Sequence, residues 1–316
     1  MEVTPFMQSL AEDLKARRGI ADATARNTVR HLWTMNGRAP FKSLTFLRRY
    51  NEVANSFEPY SEGTRRAMMA AAVSALDGKP AYKKALAYWR DAMGAAVRNF
   101  VESRASGEKT EKEKAQWMDW ADIEKVYNEY AARVASLPAG SLTAAQWNLL
   151  TDTLILGLYV LQPPRRAQDF LHMWVYKGPA KDLPTDKNWL VLSSSGKPQQ
   201  FIYNIYKTSK KHGQQTEPVP EALADILGRY LSRHPSKAAP RARSHMMKLL
   251  VKQDGTAINQ PNAITRLLNK VFGKRVSVNI LRHSYLSSKY DLSEMQEDAE
   301  AMGHTIDTQR EYLRRA

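Results

Sequence analysis

The sequence contains no cysteine among its 316 residues. This absence excludes disulfide bonds, thiolate metal sites and a cysteine nucleophile, and it fits a reducing compartment. No run approaches the roughly 18 consecutive apolar residues that a membrane-spanning helix needs. The first residues, MEVTPFMQSLAEDLKARR, include acids and lack an apolar signal core. We therefore expect an intracellular protein that does not associate with membranes.

Negative charge is also scarce relative to positive charge. The chain has 47 lysines and arginines against 32 aspartates and glutamates, a formal net charge of +15. Such a positive field attracts polyanions before any specific contact forms, and nucleic acid is the first candidate. Hydrophobic residues make up 43% and charged residues 25% of the chain, which is typical of globular proteins with substantial cores.

The length of the chain favours two domains. Residues 104–115 are rich in lysine, glutamate, serine and glycine and have no apolar periodicity, so we expect a solvated linker there. The predicted domains are residues 1–103 and 116–316. The first has apolar residues at helical spacing with arginines and lysines between them, and its predicted helices are 24–36, 41–57, 63–76 and 82–101.

The second domain combines helices with a few strand-like segments. The segments 189–194, 200–206 and 216–220 are short, β-branched or aromatic, and separated by glycine and lysine turns, which predicts a small antiparallel sheet. Thr143 is placed to cap a helix. The predicted helices are 120–135, 143–161, 221–233, 261–272, 280–290 and 293–302, with a last turn at 308–313. The fold class is therefore mainly α with a small antiparallel β-sheet, an α+β protein.

Chemistry-bearing residues cluster at the end of the chain. NILRH (279–283) contains Arg282, and MGHTIDTQREY (302–312) contains His304 and Tyr312. Further upstream, PPRRAQDF (163–170) follows an apolar helix and places Arg166 three residues before an acid, Asp169. The segment YKTSKKHGQQTEPVP (206–220) has Lys207 between strand-like residues and Thr208.

These segments, in this order, resemble the signature boxes of tyrosine recombinases, the phage-type integrases. The resemblance spans most of the second domain and extends diffusely to the helices of the first. It implies a helical core-binding domain and a catalytic domain that close as a clamp on DNA. It further implies that Tyr312 is the nucleophile, that Arg166, Arg282 and His304 bind the phosphate, and that Lys207 is the hairpin lysine. Asp169 and His283 would support the site from behind, with His283 packed.

The chemistry of these residue types agrees with that assignment. Attack on a phosphodiester requires a nucleophile, cations at the non-bridging oxygens and a proton for the departing oxygen. Arginines supply permanent planar donors, a lysine can give the proton, and nearby arginines favour the phenolate of a tyrosine. A phosphotyrosine conserves the phosphodiester bond energy, so no metal, nucleotide or other cofactor is expected. We find no clustered carboxylates that suggest a two-metal nuclease.

Several assignments remain open at this level. Asn279 occupies the place where the family usually has histidine, and an amide can donate to phosphate but cannot act as a general base. Lys210 and Lys211 lie in the same segment as Lys207 and are alternatives to it, or DNA contacts. The tyrosine is followed by only four residues, whereas many relatives have a longer tail. Candidate DNA contacts of the first domain are Arg26, Arg30, Arg48, Arg49, Arg65 and Arg66.

The leading hypothesis is a site-specific recombinase or integrase of a mobile element or large DNA virus. It would act on double-stranded DNA as a homotetramer on paired sites, and be a monomer or dimer in solution. Its location would be the cytoplasm of a prokaryote, or the nucleus or viral factory of a eukaryotic host. A type IB topoisomerase is the alternative strand transferase. A DNA-binding protein with a decayed active site is the alternative of another class, and it predicts salt-sensitive binding without a covalent adduct.

Overall fold

The computed structural model describes residues 2–57, 59–105, 109–181, 183–238 and 246–289. The chain divides into two compact units, Met1–Glu108 and Lys109–Ala316, and the boundary falls inside the stretch 104–115. The described residues are mainly helical, with one small sheet. They contain no helix long and apolar enough to cross a membrane.

Unit 1 is helical. Its longer helices are α1 (Pro5–Arg18), α2 (Asp22–Met35), α4 (Glu62–Leu76) and α5 (Lys83–Ala105), and α3 (Tyr50–Asn55) is short. The sequence analysis did not predict α1. Its ends are nevertheless well formed, because Thr4 accepts a hydrogen bond from the Met7 amide and Gly19 closes the helix in the left-handed conformation.

The predicted helix 41–57 is wrong as one element. The structure has a 3-10 turn at Thr45–Arg48 and then α3. The buried indole of Trp89 donates to the Leu47 carbonyl at 3.1 Å, which ties the turn to α5. Ser43 accepts a hydrogen bond from the Thr45 amide, so local side-chain bonding competes with a continuous helix here.

Unit 2 begins within the predicted linker. α6 (Glu111–Gln116) starts at a capping box, in which Thr110 and Glu113 bond each other's backbone amides. α7 (Trp120–Ala135) and α8 (Ala144–Val160) follow, and Thr143 caps α8 as predicted. α8 is buried on nearly all sides from Leu150 to Tyr159 and forms the centre of the core.

The sheet of unit 2 has the order β4-β3-β2-β1-β5. Its strands are β1 (Met173–Lys177), β2 (Asn188–Leu192), β3 (Pro198–Tyr203), β4 (Gln215–Pro218) and β5 (Met246–Lys248). The short helices α9 (Ala167–Leu171) and α10 (Ser209–His212) precede β1 and β4, respectively. The remaining helices are α11 (Glu221–Ser232), α12 (Pro261–Phe272) and α13 (Val278–Lys289).

The three predicted strands pair antiparallel as expected, as β2–β3 and β3–β4. The sheet as a whole is mixed and not antiparallel, because β1, which was not predicted, pairs with β2 in parallel. Alternating side chains indicate that a strand exists but carry no information on the direction of its partner. Asn188, the first residue of β2, lies beside Met173, the first residue of β1, so the direction of β2 depends on where the chain re-enters the sheet. One sheet face joins the main core, and the other carries a smaller cluster around Trp189.

Candidate active site

Two adjacent arginines lie where α8 ends. Leu161 caps α8, Pro163 and Pro164 follow, and Arg166 is the extended N-cap residue of α9. Proline has no amide hydrogen to donate, so the pair prevents α8 from continuing and separates it from α9. The result is a short extended segment that brings Arg165 and Arg166 to the edge of the sheet beside β3 and β4, in two different environments.

Arg165 is held on three sides. Its Nε atom donates to Asp169 Oδ2 at 3.1 Å, and its Nη2 atom donates to Gln215 Oε1 on β4 at 2.9 Å. Its guanidinium also stacks over the Tyr203 ring at 3.7 Å. The Arg165 side chain is 20% exposed and that of Asp169 only 5%. Arg165 therefore links α9 to the β3–β4 hairpin. Its guanidinium is held by contacts within the protein, so we assign it a structural role.

Asp169 sits in a desolvated position behind the arginines. Burial raises the pKa of its carboxyl, and the opposing attraction and hydrogen bond of Arg165 offset this only in part. The hydroxyls of Tyr159 and Tyr203 are buried nearby, and burial raises the pKa of both phenols, with Asp169 adding to the effect. Both tyrosines are therefore neutral and protonated at physiological pH.

Arg282 comes from α13, which is anchored on both sides of it. Leu281 is fully buried, and the Ser284 hydroxyl donates to the Met118 carbonyl at 2.7 Å. Burial lowers the pKa of Arg282, repulsion from Arg166 and Arg165 adds to this, and attraction by Asp169 offsets it only in part. The guanidinium groups of Arg166 and Arg282 form no hydrogen bond or ion pair within the described residues, although the Arg166 carbonyl accepts a hydrogen bond from the Asp169 amide at 3.0 Å. Three guanidinium groups therefore line the same region, and those of Arg166 and Arg282 form no ion pair with a carboxylate within the described residues.

These arginines line an open cleft of about 810 Å³, which we name the arginine cleft. Its other wall is the β3–β4 hairpin, with Tyr206, Thr208 and His212 from the connection. The Tyr206 hydroxyl donates to the Gly213 carbonyl at 2.7 Å and closes that connection. Gly213 has a φ of +67°, a conformation that favours glycine. Glu217, also in the lining, is exposed at the rim.

The cleft unites some of the predicted site residues and leaves others out. Arg166, Asp169 and Arg282 all line it. Lys207, Lys210 and Lys211 are exposed on the hairpin connection and do not line the cleft in this conformation. Lys207 lies four residues beyond the end of β3, not at the strand end as predicted.

Two predicted residues lie on α13 near Arg282. Asn279 is exposed, one helical turn before Arg282, and is not part of the cleft lining. His283 is exposed as well, so the prediction that it is packed is wrong. Its neighbours Leu281 and Ser284 take the buried face of the helix, and position 283 therefore points to solvent. His304 and Tyr312, with the predicted helices 293–302 and 308–313, lie outside the described residues.

Sequence reasoning missed the structural arginine and the histidine of the cleft. Arg165 was passed over in favour of Arg166, although its spacing of four residues to Asp169 is the spacing of a helical ion pair. His212 carries no local signal, because only the turn of α10 and Gly213 brings it to the cleft.

The six arginines of unit 1 that are predicted to contact DNA differ in the groups that they contact within the protein. Arg26 pairs with Asp22 and Arg49 with Glu52, whereas Arg65 donates to the Tyr60 carbonyl and Arg66 lies over the Phe100 ring. Arg30 is exposed. Arg48 donates to the Ala81 carbonyl at 3.0 Å and stacks over Tyr82.

No group of three or more histidines and carboxylates that could hold a metal ion occurs in the described part of the chain. Comparison with protein-family models, curated proteins and solved structures gives no match for this chain.

Proposed function

We propose that this protein is a DNA strand transferase of the tyrosine recombinase type, in which Tyr312 attacks a phosphodiester and becomes covalently joined to DNA. The observation that supports this most is the convergence of Arg166 and Arg282 on one open cleft, with Arg165 and Asp169 paired behind them. Two adjacent guanidiniums without carboxylate partners form a site for a group with at least two negatively charged oxygens.

The pairing of Arg165 with Asp169 matters for this chemistry. The buried carboxylate of Asp169 is hydrogen-bonded to the Arg165 side chain and forms no ion pair with Arg166 or Arg282, which feel only its attraction at longer range. The mutual repulsion that lowers the pKa of Arg282 is relieved when an anion enters the cleft. Charge developing on the non-bridging oxygens in the transition state would gain most from such fixed donors.

The described tyrosines near the cleft are poor nucleophiles. Tyr203 is fully buried with a raised pKa, and the Tyr206 hydroxyl is already bonded to the Gly213 carbonyl. Tyr312 therefore stays the proposed nucleophile, on the strength of the sequence resemblance. In the proposed step the Tyr312 phenol loses its proton to water and its oxygen bonds to phosphorus, the bond from phosphorus to the 5′-oxygen breaks, and the 5′-oxygen takes a proton from the donor on the hairpin connection. The reverse attack by a 5′-hydroxyl rejoins the strand, without metal or nucleotide.

The proton donor for the leaving oxygen is assigned to the hairpin connection. Lys207 is the prediction from sequence, with Lys210 and Lys211 as alternatives, and His212 is the hairpin side chain that lines the cleft. A substrate with sulfur at the leaving position needs no proton. The variant among these four that regains cleavage on that substrate identifies the donor.

In the deciding experiment, the protein is incubated without metal with labelled, nicked suicide duplexes from a random-sequence pool. The products are then separated on a denaturing protein gel. Wild type and Tyr206→Phe should both give a shifted covalent band, and Tyr312→Phe should give none while still binding DNA. A band with Tyr312→Phe would overturn the nucleophile assignment. DNA binding with no band in wild type would favour the DNA-binding protein with a decayed site.

Assembly distinguishes the two strand transferases. A recombinase should hold four protomers on two paired duplexes carrying the recovered cleavage site. A topoisomerase should relax supercoiled DNA as a monomer, with little preference for that site. Analytical ultracentrifugation of the protein on the recovered duplex, together with a relaxation assay, separates these outcomes.

A further inference from the structure

Most basic side chains of α1 and α2 in unit 1 lie beside carboxylates. Asp13, Asp22 and Asp77 each contact two or more cations from these helices and their neighbours. Arg49 likewise pairs with Glu52. An anion approaching these cations would compete with a carboxylate that is already in place.

One basic region of unit 1 differs in this respect. A cleft of about 520 Å³ lies at the start of α5, and we name it the lysine cleft. It is lined by Arg48, Tyr50, Pro80, Ala81, Tyr82, Lys83, Lys84 and Ala85. Its lining contains three cations and no carboxylate. Lys83 and Lys84 are exposed and have no ion pair within the described residues.

The walls of the lysine cleft are fixed by packing. Arg48 is held by the Ala81 carbonyl and by the Tyr82 ring, whose centroid lies 4.8 Å from the guanidinium carbon. Tyr50 stacks on Tyr88 of α5, with 4.2 Å between ring centroids. The fully buried Trp89 bonds the Leu47 carbonyl, just before Arg48. Arg48 is therefore positioned before any ligand arrives, which reduces the entropy lost on binding, whereas the side chains of Lys83 and Lys84 extend from the first turn of α5 without a protein partner in the described structure.

We propose that the lysine cleft binds phosphates of the duplex DNA backbone, with Lys83 and Lys84 as the principal contacts and Arg48 as a fixed third donor. This inference rests on the proposed function, because that function supplies duplex DNA as the polyanion. Of the six arginines that the sequence analysis named as candidate DNA contacts, only Arg48 belongs to this site. Lys83 and Lys84 were not among those candidates. Contacts of this kind position the duplex and carry no base specificity.

The test measures duplex binding by fluorescence anisotropy as a function of salt concentration. Each phosphate contact contributes about 0.9 to the slope of log affinity against log salt, so Lys83→Gln/Lys84→Gln should lower the magnitude of that slope by about 2. The matched control is Lys15→Gln/Arg90→Gln, which removes the same charge from unit 1 at positions paired with carboxylates. Its slope should remain close to that of wild type.

The outcomes separate this inference from the proposed function. If wild type does not bind duplex DNA, the proposed function fails, and the inference fails with it. If wild type binds and the lysine variant keeps the wild-type slope, the inference alone is overturned. Equal losses in both variants would also overturn it, because net charge would then explain the effect. Loss of binding to phosphatidylserine vesicles, with DNA binding intact, would assign the cleft to a membrane surface instead.

Discussion

The arginine cleft of unit 2 and the lysine cleft of unit 1 each have three strong cations, but their charge is arranged differently. In the arginine cleft a buried carboxylate, Asp169, holds Arg165, and only Arg166 and Arg282 lack such a partner. In the lysine cleft no carboxylate lines the wall, and Arg48 is held by a carbonyl and a ring. In the arginine cleft, the buried ion pair fixes the position of Arg165. In the lysine cleft, the charges of Lys83 and Lys84 are exposed at the surface.

This difference separates two tasks that both need positive charge. Stabilising a transition state needs donors that cannot reorganise, and a buried ion pair behind the reacting group supplies that rigidity. Holding a backbone phosphate needs charge near the surface and tolerates mobile lysines. Substitutions in the two clefts should therefore affect different measurements.

The largest expected effect is on strand cleavage. Arg282→Ala should reduce the cleavage rate by about 10²–10³-fold, the usual cost of losing one donor to a developing anion, and change duplex affinity far less. Single-turnover cleavage of the suicide duplex measures the rate. Arg275→Ala, an exposed arginine just before α13, is the matched control. Equal rates for the two variants would remove Arg282 from the site.

The next effect is on folding stability. Arg165→Met leaves Asp169 buried without its cation and should lower the free energy of unfolding at neutral pH by about 3 kcal/mol. The half-buried Arg166 side chain forms no hydrogen bond or ion pair within the described residues, so the urea midpoint of Arg166→Met should stay near that of wild type. Similar urea midpoints for these neighbouring variants would contradict the distinction between a structural and a phosphate-facing arginine.

A smaller effect should appear in the pH dependence of Arg165→Met. The pKa of Asp169 is raised in the folded protein, so its contribution to stability is present below the ordinary aspartate pKa and is lost as pH rises through the folded value. Removing Arg165 raises that pKa further. The deficit of Arg165→Met should therefore grow from acidic to neutral pH in urea titrations. The double variant Arg165→Met/Asp169→Asn should lose this pH-dependent component.

The smallest effects are expected in the lysine cleft. Arg48→Gln removes a cation–π contact and a hydrogen bond, and should cost about 0.5–1 kcal/mol of unfolding free energy. Lys83→Gln/Lys84→Gln should leave the thermal midpoint unchanged, because neither lysine has a protein partner in the described structure. A marked drop in the midpoint of the lysine variant would show that these residues support the fold.

Much of the helical framework was predictable because it depends on local signals. α7 and α12 have the predicted bounds, and Thr143 caps α8 as expected. Prediction failed where long-range contacts decide the backbone. The bond from Trp89 to Leu47 breaks the predicted helix 41–57. β5 has only three residues, which are too few to show a pattern.

The candidate site was likewise only partly predictable from the sequence. The order of Arg166, Lys207, Arg282, His304 and Tyr312 could be read from the sequence, and two of these five lie outside the described residues. The spacing of Arg165 and Asp169 was a local signal for their ion pair, but the bond from Arg165 to Gln215, fifty residues away, had no such signal.

By itself, the sequence determined the helical periodicity, the position of the boundary region and the excess of positive charge, since each depends on residue type and short spacing. Only the tertiary structure decided the parallel pairing of β1 and β2, the burial of Asp169 and the separation of paired from unpaired cations. Strand direction, desolvation and ion pairing depend on which distant segments meet, and that is fixed only when the core packs.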